Sequence, residues 1–115
     1  MPKPLTHAQS SADRFGGVAE DYLQIHEKMD STKSIVANAT HRAIFHSAYG
    51  IFLIEDIFGS TIQNSEGQNV FVRDIAEQHV LEDLGFIPSL DEWLKAMELS
   101  PWMAGSKTNE VEIAD

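Results

Sequence analysis

An uninterrupted apolar run, Tyr-Gly-Ile-Phe-Leu-Ile at residues 49–54, constrains the fold of this chain more than any other feature. A helix that is apolar on every side lies at the centre of a bundle or in an oligomer interface. Helix-capping side chains stand upstream at residues 30–32, and Gly59 ends the pattern. We therefore predict one long central helix that follows this cap and runs to Phe58, roughly 40 Å in length.

Shorter elements surround this segment. Apolar residues at helical spacing predict helices at about 5–15 and 20–29, with glycines after the first. Residues 61–63 and 69–72 flank a turn that contains Gly67 and predict a β-hairpin. A helix over 73–84 ends at Gly85, and Ser89 with Glu92 forms a capping box that opens a last helix to about Met97. The prediction is a mainly α protein, a small helical bundle with one long central helix and a short β-hairpin.

Composition narrows the class of protein. The chain has 115 residues, of which 43% are hydrophobic, so a single domain over residues 1–100 can bury a core. We expect residues 101–115 to form a flexible acidic tail. The net charge of −10 disfavours nucleic acid and anionic membranes, and the absence of cysteine excludes disulfides and thiolate metal sites. Without an apolar span or a signal-peptide pattern, we expect a cytoplasmic protein.

Histidine–carboxylate pairs are the main chemical signal. His26 with Asp30, and His79 with Asp83, share the i, i+4 spacing that brings side chains together on a helix. A carboxylate on one ring nitrogen orients the other nitrogen for a metal ion or for proton transfer. The second pair lies on the helix face that should be apolar. It is a satisfied structural pair, a functional pair or, if the helix is rotated, an exposed pair, and we rank it first among the candidates.

His41 and His46 do not resemble a helical metal motif. They are five residues apart, so on one helix they point about 140° away from each other. His26 would meet residues near 34–35 of an antiparallel helix and not His46. We therefore expect separate histidine positions, with at most two of them joining His79 and Asp83. The candidate metal- or ligand-binding residues are His79, Asp83, His26, Asp30, His46 and His41.

Other catalytic motifs are missing from the sequence. It has no His-Asp dipeptide, no His-Glu-x-x-His, no glycine-rich phosphate loop and no serine in a nucleophile elbow. Arg42 and Arg73 are the candidate anion-binding residues, because guanidinium groups beside histidines suit phosphate.

Several motifs resemble one uncharacterised family of short bacterial and phage proteins, a domain of unknown function. They include His-Arg-Ala-Ile-Phe-His at 41–46, Gly-Ile-Phe-Leu-Ile-Glu at 50–55 and Val-Arg-Asp-Ile-Ala-Glu-Gln-His-Val-Leu-Glu-Asp-Leu-Gly at 72–85. The resemblance covers about residues 4–97 and implies no activity, although Gln24 stands where the family often has proline. It implies that the histidines and acids are shared by the family: His7, His26, His41, His46, His79, Asp30, Glu55, Glu77 and Asp83.

Two functional hypotheses follow. The first is a protein that binds a ligand or partner, with a His/carboxylate site for a divalent metal or an anion, and possible partners are a small anionic ligand or a host protein. The alternative is a metal-dependent hydrolase in which histidines and carboxylates hold the ion that activates water. The apolar helix further predicts a homo-oligomer. We favour the binding protein, because no nucleophile or metal motif is present.

Overall fold

The computed structural model describes residues 3–105, and the chain is mainly α-helical, as predicted. Residues 106–115 of the predicted flexible tail lie outside the described residues, while Pro101–Ala104 form a short 3-10 turn. The elements, in chain order, are α1 (Pro4–Phe15), α2 (Glu20–Met29), two 3-10 turns (Ser31–Ser34 and Ala39–Ala43), α3 (Ala48–Phe58), β1 (Thr61–Gln63), β2 (Asn69–Phe71), α4 (Val72–Leu84) and α5 (Leu90–Lys95).

Helix α4 is the centre of the packing. It contacts α1, α2 and α3, and α1 also packs against α2. Their apolar faces form one core, to which the hairpin adds the buried Val70 and the partly buried Ile62. Burial of these side chains removes apolar surface from water and stabilises the arrangement. The buried core residues are Ala8, Tyr22, Ile25, Met29, Ile51, Ile54, Val70, Val72, Ile75, Ala76 and Val80.

The predicted long central helix is wrong. Residues 31–47 form 3-10 turns and irregular backbone, and α3 begins only at Ala48. The Asn38 side chain accepts a hydrogen bond from the Thr40 amide at 2.9 Å, and Ser47 accepts one from the Gly50 amide at 2.9 Å. Such side chains compete with the helical hydrogen-bond ladder, so they start new turns where a continuous helix was expected.

Gly50 permits a sharp return of the chain. A Cβ atom on this residue would overlap the carbonyl oxygen of Ile44 and backbone atoms of Phe45. The segment before α3 therefore crosses directly over the first turn of that helix. Only glycine leaves room for such a close approach of two backbones. This crossing determines where the next residue, His46, lies.

The apolar run in α3 is only half buried. Ile51 and Ile54 are 5% and 0% exposed, whereas Tyr49 and Phe52 are 51% and 57% exposed. One face of α3 therefore packs on the core and the opposite face is apolar and open to solvent. The centre of a bundle, one of the two positions that its composition predicted, is therefore wrong, and the oligomer interface stays a prediction.

The local predictions after α3 are confirmed. Strands β1 and β2 pair in antiparallel register, Ile62 opposite Val70, and Gly67 in the turn has φ +81°. Strand β2 leads directly into α4, so the hairpin positions the start of that helix. The capping box of Ser89 and Glu92 opens α5, which ends at Lys95 and not at Met97. Within residues 3–105, none of the helices has the length and apolarity that crossing a membrane requires.

Candidate metal centre

Four imidazoles meet beside α4. His7 comes from α1, His26 from α2, His46 from the segment before α3, and His79 from α4 itself. Each of the four residues is 0% exposed. Two of the predicted histidines, His26 and His46, thus lie beside His79, which is as many as helix spacing allowed, and His41 lies farther out. The straight helix assumed through residues 41–46 is wrong, because the backward turn over Gly50 places His46 against α4.

Two imidazoles and two carboxylates form the inner group of this cluster. His79 Nε2 lies 3.1 Å from Asp30 Oδ1 and 3.3 Å from Asp83 Oδ2. His46 Nε2 lies 2.8 Å from the same Asp83 oxygen and 3.6 Å from the same Asp30 oxygen. All four atoms lie within 4.8 Å of one another, so they surround a single point.

These distances match a coordination polyhedron. Zinc binds imidazole nitrogen and carboxylate oxygen at about 2.1 Å, so neighbouring ligands of a tetrahedral ion are about 3.4 Å apart. The four nitrogen–oxygen distances, 2.8 to 3.6 Å, bracket that value. In the absence of an ion, the shorter contacts are hydrogen bonds that hold carboxylates against imidazoles. Both states use the same four atoms, so the ligands are positioned before any ion binds.

A chain of hydrogen bonds sets the orientation of the His79 ring. The Gln78 amide nitrogen donates to the His7 carbonyl at 3.1 Å and to Glu82 at 3.0 Å, which leaves its oxygen as an acceptor. Ser11 donates to that oxygen at 2.7 Å, so its hydroxyl oxygen accepts from His26 Nε2 at 2.8 Å.

The remaining nitrogen of His26 completes the chain. Burial, and then the charges of His79 and His7, lower the pKa of His26 to about 2, so the ring is neutral at pH 7. With its hydrogen on Nε2, His26 accepts at Nδ1 from His79 Nδ1, 2.8 Å away. His79 therefore carries a hydrogen on Nδ1 and directs Nε2 at the carboxylates. Partners of this kind fix the tautomer of a metal-binding histidine.

The surroundings of His79 favour a second proton on its ring when no ion is bound. Burial lowers the pKa of His79, but hydrogen bonds to Asp30 and Asp83 outweigh burial and raise it above the ordinary value of 6.5. Burial and the nearby charge of His79 lower the pKa of His46, in spite of its hydrogen bond to Asp83. The group thus contains one imidazolium that an ion would have to deprotonate.

Asp83 is the most enclosed of the carboxylates, with a side chain 1% exposed. Burial alone would raise its pKa, but hydrogen bonds from His46, His7 and His79 hold that pKa far below the usual range. His7 Nε2 contacts Oδ1 at 3.1 Å, which leaves Oδ2 for the inner group. His7 also meets Glu82 through Nδ1 at 2.7 Å and stacks on His79 with ring centroids 3.9 Å apart.

His7 was not among the residues selected from spacing, although the family resemblance included it. A signal was present, because His7 and Ser11 stand four apart on α1, on either side of the buried Ala8. A second polar residue in the buried stripe of an amphipathic helix indicates a buried polar network.

Asp30 closes the other side of the inner group. Its side chain is 13% exposed and its carboxylate contacts His79. This tertiary contact with His79 replaces the i, i+4 contact with His26 that the spacing predicted. Burial raises the pKa of Asp30, but hydrogen bonding and the charges of His79 and His46 lower it further, so the net shift is downward. Asp30 is the member of the inner group nearest to solvent.

The other predicted residues lie around the cluster. His41 is buried, and its ring centroid is 6.4 Å from that of His46, outside the inner group. Arg42 is 8% exposed, and its Nε and Nη2 atoms meet no hydrogen-bond partner among residues 3–105. Arg73 is 61% exposed and pairs with Glu55 at 3.5 Å. The two arginines therefore have different surroundings, and only Arg42 adjoins the histidines in sequence.

Comparison with known proteins identifies the family without an activity. No curated protein and no solved structure matches the chain. One family model matches residues 2–103, which is nearly the whole described region. The chain belongs to the family described as Domain of unknown function (DUF6915).

Proposed function

We propose that this protein binds one divalent transition-metal ion through Asp30, His46, His79 and Asp83. The observation that supports this most strongly is the set of four nitrogen–oxygen distances around one point, 2.8 to 3.6 Å. The hydrogen-bond chain behind His79 adds a second argument, because outer partners of this kind are typical of metal-binding histidines.

The ligand types select the ion. Two imidazoles with two carboxylates suit zinc, manganese or ferrous iron, whereas magnesium and calcium prefer oxygen ligands alone. Four close, preorganised ligands favour a tetrahedral ion. We therefore propose zinc as the first metal to test and manganese as the second.

Binding is a better proposal than hydrolysis. Catalytic zinc sites keep one position open for water, while structural sites are closed by four protein ligands. Here all four ligands come from the chain, and their side chains are between 0% and 13% exposed. A metal-dependent hydrolase would need a ligand to leave, and Asp30 is the one with access to solvent.

Such an ion would join three parts of the fold that are distant in sequence. Asp30 follows α2, His46 ends the irregular segment before α3, and His79 and Asp83 lie on α4. Stabilisation then depends on metal concentration, and an ion at 100 times its dissociation constant adds about 2.7 kcal/mol.

Isothermal titration calorimetry of metal-free protein with zinc or manganese, at pH 7 and in buffers of different ionisation enthalpy, tests the proposal. We expect one ion per chain and release of about one proton, from His79 Nε2, because ligands must be deprotonated to bind. His79→Gln should abolish binding. His41→Gln is the matched control, since it changes a buried histidine 6.4 Å from His46 but outside the inner group.

Two results would reject the site. One is a protein that neither binds zinc or manganese nor gains thermal stability from them. The other is a His41→Gln variant that loses metal as completely as His79→Gln while both remain folded by circular dichroism. Binding without proton release would instead contradict the protonation that we assign to His79.

A further inference from the structure

Unpartnered buried nitrogens are concentrated in one turn of the chain. Within residues 3–105, the buried side-chain nitrogen and oxygen atoms without a hydrogen-bond partner are Nε and Nη2 of Arg42 and Nδ1 of His46. The His46 amide donates to the Arg42 carbonyl at 2.8 Å, so the two residues are linked across a single turn. Buried polar groups are rarely left unpaired, and the two guanidinium nitrogens can only donate, so they indicate a missing acceptor. His46 Nδ1 is itself an acceptor, because Nε2 of the same ring donates to Asp83.

The acceptor has to be an anion. A guanidinium keeps its charge at any physiological pH, and a buried charge without a partner is costly. Arg42 is 8% exposed, and among residues 3–105 no carboxylate lies within 4.0 Å of it. The carboxylates that flank this turn, Asp30 and Asp83, are already engaged with histidines.

The surroundings of Arg42 are also positive. Burial lowers the pKa of the neighbouring His41, and the charges of Arg42 and Lys33 lower it further, against the opposing charges of Asp30 and Asp83. Lys33 is exposed on the preceding 3-10 turn, which packs against the turn that carries Arg42. An anion that approaches this corner meets an exposed cation before it reaches the buried one, although the whole chain has a net charge of −10.

We propose that Arg42 binds a small oxyanion, a phosphate or a phosphate monoester, in the turn before α3. Nε and Nη2 of a guanidinium form the two-pronged donor that fits two oxygens of a phosphate. Arg73 takes no part, because it pairs with Glu55 and is largely exposed. The site depends on Arg42 and does not require the metal.

Titration of metal-free protein with inorganic phosphate, followed by calorimetry and by thermal unfolding, tests this assignment. We expect saturable binding and a rise in Tm for the wild type. Arg42→Gln should bind phosphate at least about tenfold more weakly, since it loses a charge-assisted pair. Arg73→Gln is the matched control and should bind like the wild type.

Arg42→Lys keeps the test decisive if Arg42→Gln does not fold. Lysine retains the charge but not the fork of two donors, so phosphate binding should again weaken. The proposal is overturned if wild-type protein shows no saturable phosphate binding, if Arg42→Lys binds as tightly as wild type, or if Arg73→Gln loses as much affinity as the Arg42 variants. Because no metal is present, these outcomes are independent of whether zinc or manganese binds.

Discussion

Asp83→Asn changes one atom in the most enclosed part of the cluster and should greatly destabilise the metal-free fold. Asp83 accepts hydrogen bonds from His7 at 3.1 Å and from His46 at 2.8 Å. His79 Nε2 lies 3.3 Å from Asp83 and also contacts Asp30. The asparagine amide would present a donor to at least one ring that already donates. It would also leave the His79 imidazolium with one carboxylate in place of two.

The size of the effect follows from these contacts. A hydrogen bond to a charged group contributes about 1.5–3 kcal/mol, and removal of one partner of a buried charge pair costs about 3–5 kcal/mol. Counting the two short contacts gives a loss of about 4 kcal/mol. This loss is a large part of the usual 5–15 kcal/mol of stability. For a domain of this size it corresponds to a fall in Tm of about 15–30 °C.

Urea unfolding at pH 7, with chelator and followed by circular dichroism, measures this loss. Asp91→Asn is the control, because that aspartate is 68% exposed and forms a surface pair with Lys95 at 3.0 Å; it should change stability by less than about 0.5 kcal/mol. The low pKa of Asp83 means that its ionised form stabilises the fold above about pH 4, so the difference from wild type should narrow below that pH. Equal stability of Asp83→Asn and wild type at pH 7 would refute the reasoning.

Three further predictions concern the fold and its pH dependence. Gly50→Ala should cost about 3 kcal/mol in urea unfolding, because its methyl group overlaps the Ile44 carbonyl; a neutral change would contradict the close crossing. Acidification from pH 6 to pH 4 should lower the free energy of unfolding of the metal-free wild type. The reason is that His26, with its pKa lowered to about 2, takes up a proton only on unfolding. For His26→Gln, the free energy of unfolding should fall by about 1.4 kcal/mol per pH unit less than for the wild type. The exposed face of α3 should form a homodimer that sedimentation velocity detects at micromolar concentration and Phe52→Glu dissociates, whereas a strictly monomeric wild type would count against it.

The local signals in the sequence predicted most of the elements. The bounds of α2, the pairing of β1 with β2 and the capping box of Ser89 are confirmed, because each depends on side chains within about four residues of one another. The segment from residue 31 to residue 47 was mistaken for helix. Its capping side chains and Gly50 are compatible both with a continuous helix and with a chain that turns back. Only the tertiary position of Phe45, whose backbone lies against Gly50, distinguishes the two.

The sequence by itself determined which residues carry the chemistry, and it ranked His79 and Asp83 first because two polar residues stood on a face that should be apolar. Only the tertiary structure decided that His7, His26 and His46 join them. The contacts that assemble the cluster span 37 residues between His46 and Asp83, 53 between His26 and His79, and 76 between His7 and Asp83. Helical periodicity relates residues three or four apart, so contacts of that range follow only from how α1, α2 and the turn over Gly50 pack against α4.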